Sequence, residues 1–192
     1  LEPLADIMSK LDGTDIEAAA ERFLNDDVPD KAAALSGAMD IIAEEISDSA
    51  EYRTKIRSMT YRSSLMTSKL TAEEAGVYEM YADFSEGLSK LANHRILALN
   101  RGEKEGVLSV SLKTDPDLMV NYLISKRVTN QNSPSAKYVT NACEDSYTRL
   151  IAPSIEREIR TQLTERAEEA AIEVFSKNLK GVLIQPPVKG HV

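Results

Sequence analysis

Apolar positions recur three and four residues apart along most of this chain, the spacing of a helix with one covered side. Thr14 and Glu17 read as a capping box for DIEAAAERFL. Pro29 opens a longer helix through AAALSGAMDIIAEEI with Leu35, Met39, Ile42 and Ile46 on one face. Tyr52, Ile56, Met59, Ser63, Met66 and Leu70 continue the step and predict a helix running to Leu70, with Arg53, Lys55, Arg57 and Arg62 off its stripe. Thr71 with Glu74 is a second capping signal and predicts a helix through GVYEMYADFSEGLSKL. His94 to Asn100 begins another, broken near Gly102 and Gly106. Only Val107 to Lys113 alternates with period two, predicting one strand. Asp115 and Pro116 carry N-cap and first-turn chemistry for DLMVNYLISKRV. The polar run 130–135 reads as a linker, and AKYVTNACEDSYTRLI as a helix leading to Pro153.

From Pro153 the stripe Ile155, Ile159, Leu163, Ala167, Ala170, Val174, Leu179 and Val182 predicts one long helix, stopped by Pro186 and Pro187. About thirty residues rising roughly 1.5 Å each give a rod of about 45 Å. Glu156 with Arg160 and Glu173 with Lys177 are acid-before-base pairs at i, i+4 that support its outer side. Such a rod predicts a spacer, with Leu183 and Ile184 packing under a following domain. The fold class predicted is all-α and multi-helical, with a helix-turn-helix-like corner near 78–105, one short strand, and a long C-terminal connecting helix near 153–184. The division expected is a helical subdomain over 1–129, a linker over 130–135 and a helical connector over 136–192. A chain that opens at Leu1 inside a helical pattern is expected to be a piece of something longer.

Charge and chemistry narrow the function. Residues 1–50 carry 13 acids and 3 bases, whereas residues 51–192 carry 18 acids and 20 bases, so only the later part is expected to tolerate a phosphate backbone. With no Trp and 5% aromatic residues, a base-stacking platform is not supported. The single cysteine, Cys143, excludes an internal disulfide and points to a reducing, cytoplasmic compartment. No apolar run is long enough to predict a membrane span. His94 and His191 are the only histidines, and neither a metal-ligand spacing nor a nucleophile elbow is present. RGEKEG lacks the Lys-Ser/Thr of a phosphate loop. The expectation is therefore no enzyme, no catalytic residue, no metal ligand and no cofactor.

The best functional candidate is Leu88 to Lys113, where Lys90, Arg95, Arg101, Lys104 and Lys113 outnumber Glu103 and Glu105. Two short helices joined at Lys90 to Asn93 predict the corner, with His94 to Arg101 facing a groove of nucleic acid and Arg95, Arg101 and Lys104 as the candidate contacts. A purely structural reading stays open beside it. There Leu97, Leu99, Leu108 and Leu112 are core, and His94 caps or packs at a helix start. The basic helix around Arg53 to Arg62 is a weaker candidate.

Several runs resemble the Tex family of bacterial transcription accessory proteins, in the helical region just before their RNase-H-like domain. These are LEPLADIM at Leu1, LSKLANHRILALNRGEKEGVL at Leu88, APSIEREIR at Ala152, LTERAEEAAIEVF at Leu163 and NLKGVLIQPPVKG at Asn178. They fall in the family's order across the chain. The resemblance implies a parent in which this region adjoins a nuclease-like domain thought inactive, a helix-hairpin-helix and an OB-fold RNA-binding domain. It implies RNA or DNA as partner, mainly through those other domains, and a transcription role. A protein-interaction scaffold docking on the transcription machinery is the alternative.

Overall fold

A computed structural model describes residues 1–185, and the expected stop at Pro186 and Pro187, with His191, lies outside the described residues. Along the chain run α1 (Glu2–Ser9), α2 (Ile16–Ala20), α3 (Lys31–Asp48), α4 (Ala50–Ser63), β1 (Leu65–Leu70), β2 (Asp83–Gly87), α5 (Asn93–Lys104), β3 (Leu108–Lys113), α6 (Pro116–Arg127), α7 (Ala136–Asp145) and α8 (Ala152–Leu183). The chain is predominantly helical, as its periodicity predicts. Its residues group into two units, one of 1–64 with 114–157, the other of 65–113 with 158–192. The linker expected at 130–135 falls inside the first unit.

The first unit is built around α3. Ala34, Ala38, Ile42, Ala43 and Ile46 on its inner side are fully buried, and the alanines leave room for α1 and α7 to approach closely. A π-helical turn, Ser146–Ile151, carries α7 straight into α8, and the buried Ser146 hydroxyl donates to the Ala43 carbonyl at 2.7 Å. Local capping decides several boundaries. Asp115 accepts from the Asp117 amide and Pro116 occupies the first turn of α6, as the sequence predicts. At α2 the cap sits one residue later than expected: Asp15, not Thr14, accepts from the amides of Glu17 and Ala18. The turn after α1 places buried Leu11 at φ 52°, a left-handed conformation that strains a residue with a Cβ. The carbonyls at that turn are held from 130–135, where Asn130 Nδ2 donates to Leu11 O and Ser133 Oγ to Asp12 O.

The second unit holds a three-stranded antiparallel sheet in the order β2-β1-β3, so the single predicted strand becomes three. The helix expected from Tyr52 to Leu70 ends at Ser63, and Leu65–Leu70 is the central strand. The helix expected after Thr71 is absent. A 3-10 segment, Gly76–Tyr81, leads to β2, while the Thr71 hydroxyl donates to Gly106 O instead of capping. Met66, Ser68, Leu108 and Val110 form the buried side of the sheet, and α5 packs against β3 with Ile96 and Leu99 buried. α5 runs through Gly102, where a Cβ would meet Leu108 Cδ1 at 2.5 Å and Tyr78 Cδ1 at 3.2 Å, so close packing rather than a helix break selects glycine. Gly106, at φ 73°, turns the chain into β3.

Candidate nucleic-acid interface

The expected helix-turn-helix corner needs a helix before α5. The structure places β2 and one 3-10 turn, Leu88–Lys90, there instead, and α5 starts at Asn93. Its first turn has no side-chain cap. His94 is exposed there and lines an apolar groove of about 630 Å³ with Leu97, Ala167, Ala170, Val174 and Phe175.

The three candidate bases do not share a face. At about 100° per residue, Arg95 and Lys104 lie on opposite sides of α5, whereas Arg101 and Lys104 are only about 60° apart. Arg95 turns toward the sheet, where Nη1 donates to Glu86 Oε1 at 2.8 Å and the guanidinium lies 5.9 Å from the Phe84 ring centre. Arg101 and Lys104 are exposed in the last turn of the helix, where they also complement its C-terminal dipole. Lys90 and Lys113 are exposed on other elements. The patch is therefore reduced to Arg101 and Lys104, with Arg95 holding α5 to β2.

The two acids among these bases are occupied. Glu103 forms a two-point ion pair with Arg160 of α8, in which Nη1 donates to Oε1 at 3.2 Å. Glu105 accepts from the Tyr78 hydroxyl at 2.8 Å, and burial together with that bond pushes the Tyr78 phenol up. Sequence reasoning paired Arg160 with Glu156 and did not reach its contact with Glu103. Helix spacing shows only partners on the same helix, and Glu103 and Arg160 are 57 positions apart. Further along, Asn100 Nδ2 donates to Thr164 Oγ1 at 2.9 Å, and Arg166 donates to Asn93 Oδ1 and Leu91 O. α5 and α8 are thus latched antiparallel by three side-chain pairs, Glu103–Arg160, Asn100–Thr164 and Asn93–Arg166. The structural reading of this stretch holds in part, since Leu99 and Leu108 are buried while Leu97 and Leu112 are half-buried.

The weaker candidate, α4, spends Arg53 on structure, with Nη2 donating to Ser154 Oγ at 2.7 Å. Its Lys55 and Arg62 are exposed. Among the described residues no group of three or more His, Cys, Asp or Glu is arranged to hold a metal ion. No described helix is long and apolar enough to cross a membrane.

A family model described as Tex central region-like matches residues 12–175, most of the chain. The chain belongs to the Tex family. It is 41% identical to the uncharacterized protein YdcI of Bacillus subtilis over 99% of this chain and 27% of that protein. It is 31% identical to the transcriptional accessory protein Tex of Neisseria gonorrhoeae, over 97% of this chain and 26% of the relative. Similarity reaches the S1 RNA-binding domain-containing protein 1 of Homo sapiens, 30% identical over 65% of this chain and 13% of that protein. The chain spans about a quarter of the length of the bacterial Tex relatives it matches.

Proposed function

We propose that this Tex-family chain is a non-catalytic helical segment of a cytoplasmic transcription accessory protein, and that it adds a small electrostatic contact to nucleic acid through Arg101 and Lys104. The observation that carries this reading is the exposure of both bases at one end of α5 while Arg160 cancels the charge of Glu103 between them. The relatives support the setting, one being a transcriptional accessory protein and another an S1 RNA-binding domain-containing protein. Two bases supply a sequence-independent contact, so the bulk of RNA or DNA affinity belongs to other parts of a full-length protein.

A salt titration of binding to duplex DNA, single-stranded DNA and RNA tests the reading. Each phosphate neutralised contributes about 0.9 to the slope of log affinity against log salt on duplex DNA and about 0.7 on a single strand. Replacing Arg101 and Lys104 together by Glu is expected to weaken binding and flatten the slope by roughly two such increments. Arg95→Glu is expected to alter binding less, because that side chain is committed to Glu86. Binding and slope unchanged in the Arg101 and Lys104 variant overturn the proposal.

A further inference from the structure

The segment between β1 and β2 places two large apolar side chains in solvent, and every charged residue it carries is acidic. Val77 is 88% exposed and Met80 68%, although Tyr78 and Tyr81 beside them are 5% exposed. The chain alternates between anchoring a ring and presenting an apolar tip, so the exposure follows from the fold of the segment. Residues 71–83 carry Glu73, Glu74, Glu79 and Asp83 and no base, and all four acids are exposed.

The segment is rigidly mounted. Its first residue is tied by the Thr71 amide to Val107 O at 2.9 Å and by the Thr71 hydroxyl to Gly106 O at 3.0 Å. Its middle is pinned where the Tyr78 hydroxyl reaches Glu105, and where the Ser68 hydroxyl donates to Tyr81 O at 2.6 Å. The Tyr81 ring meets Phe84 edge to face, with centres 5.4 Å apart. Apolar side chains held in one place lose little conformational freedom when a partner covers them, the property of a preformed docking point. Two side chains are also too few to hold a permanent interface, so the contact they suit is a transient one in which charge steers and the apolar tips lodge.

We propose that Val77 and Met80 form a protein-docking knob for a basic protein segment that sets bulky apolar side chains beside lysine or arginine. Charge chooses the occupant. The four carboxylates of the segment repel a phosphate backbone and attract a basic protein surface, which sets it apart in charge from the Arg101 and Lys104 contact. The proposal does not depend on nucleic-acid binding, and failure of one leaves the other standing.

The test presents the 192-residue chain to a display library of random linear peptides, with counter-selection on the Val77→Ser, Met80→Ser double variant. The exposure of both side chains predicts that this variant folds, checked by an unchanged circular dichroism melt. The expected result is enrichment of peptides carrying a bulky apolar residue beside Lys or Arg, whose affinity falls as salt is raised. Loss of the two tips is expected to weaken such a peptide about tenfold or more, the range of an interface anchor. A second variant, Glu73→Lys, Glu74→Lys and Glu79→Lys, keeps the apolar tips and is expected to lose binding at low salt. Peptides retained equally by the wild type and the serine variant overturn the proposal, as do enriched peptides without basic residues. It is likewise overturned if the serine variant loses affinity for duplex DNA or RNA, or abolishes self-association of the chain.

Discussion

The two halves of α8 are both lined with apolar residues and meet opposite fates. Ile155, Ile159, Leu163 and Ala167 are at most 3% exposed, whereas Val174, two turns further along the same side, is 60% exposed, and Ile172, Phe175, Leu179 and Val182 on the other sides are 48–66% exposed. The difference lies outside the helix. α5 follows α8 from the Glu103–Arg160 pair to the Asn93–Arg166 bond, and there α5 begins. Beyond that point the described residues form only the shallow end of the groove at Ala170, Val174 and Asn178. Periodicity specifies which side of a helix is apolar, and the partner element decides whether that side is covered.

Thiol reactivity gives the largest expected contrast. Burial pushes the Cys143 thiol up to about 12, so at pH 8 only about one molecule in ten thousand carries the reactive thiolate, against about one in four for an exposed thiol. A Leu179→Cys substitution on the exposed half is expected to label with a disulfide reagent at least about a thousandfold faster than native Cys143. Comparable rates for the two would break the comparison. Cys143 is expected to react only when the chain is unfolded.

Core truncation separates the halves next. Leu163→Ala, in the covered half, is expected to cost about 2–5 kcal/mol in urea unfolding, the range of a buried leucine. Changing Leu183 and Ile184 together to Ser removes residues 75% and 68% exposed. That change is expected to shift stability by no more than about 0.5 kcal/mol. A loss of several kcal/mol would place the pair in a core of this chain and end the reading of this part of α8 as a spacer.

The smallest effect belongs to the latch. Arg160→Ala is expected to cost about 1 kcal/mol, because the pair with Glu103 is two-pointed but partly exposed, and the loss is expected to shrink in high salt. The melt read at low and high ionic strength checks it. No salt dependence would mean that α5 is held to α8 by apolar packing alone.

The sequence was most legible where one signal acted without competition. The Asp115–Pro116 start of α6 and the length of α8 stand as read, and of the face read for α3, Leu35, Ile42 and Ile46 are buried while Met39 is half-buried. The sheet was hidden for a specific reason. Ser68 occupies an inward position of β1 and satisfies its hydroxyl on Tyr81 O, and Glu86 occupies an inward position of β2 and pairs through Oε1 with Arg95. Polar residues at buried positions erase the period-two alternation, while Met66 and Leu70, four apart, imitate a helix. The candidate interface suffered in a related way. Base counting over Leu88 to Lys113 treated Arg95 as equal to Arg101, although Arg95 has its partner on another element that the same misreading had made helical.

Leu65 and Lys113, the first and last residues of β1 and β3, are direct ladder partners. Partners in an antiparallel ladder lie about 5 Å apart at their Cα atoms. The excursion 65–113 therefore begins and ends at neighbouring points of its own sheet. Ser64 and Thr114, joined directly to those partners, lie close together, so the sheet's register sets the spacing between the end of α4 and the start of α6. The loops within 71–107 can then change in length without respacing α4 and α6.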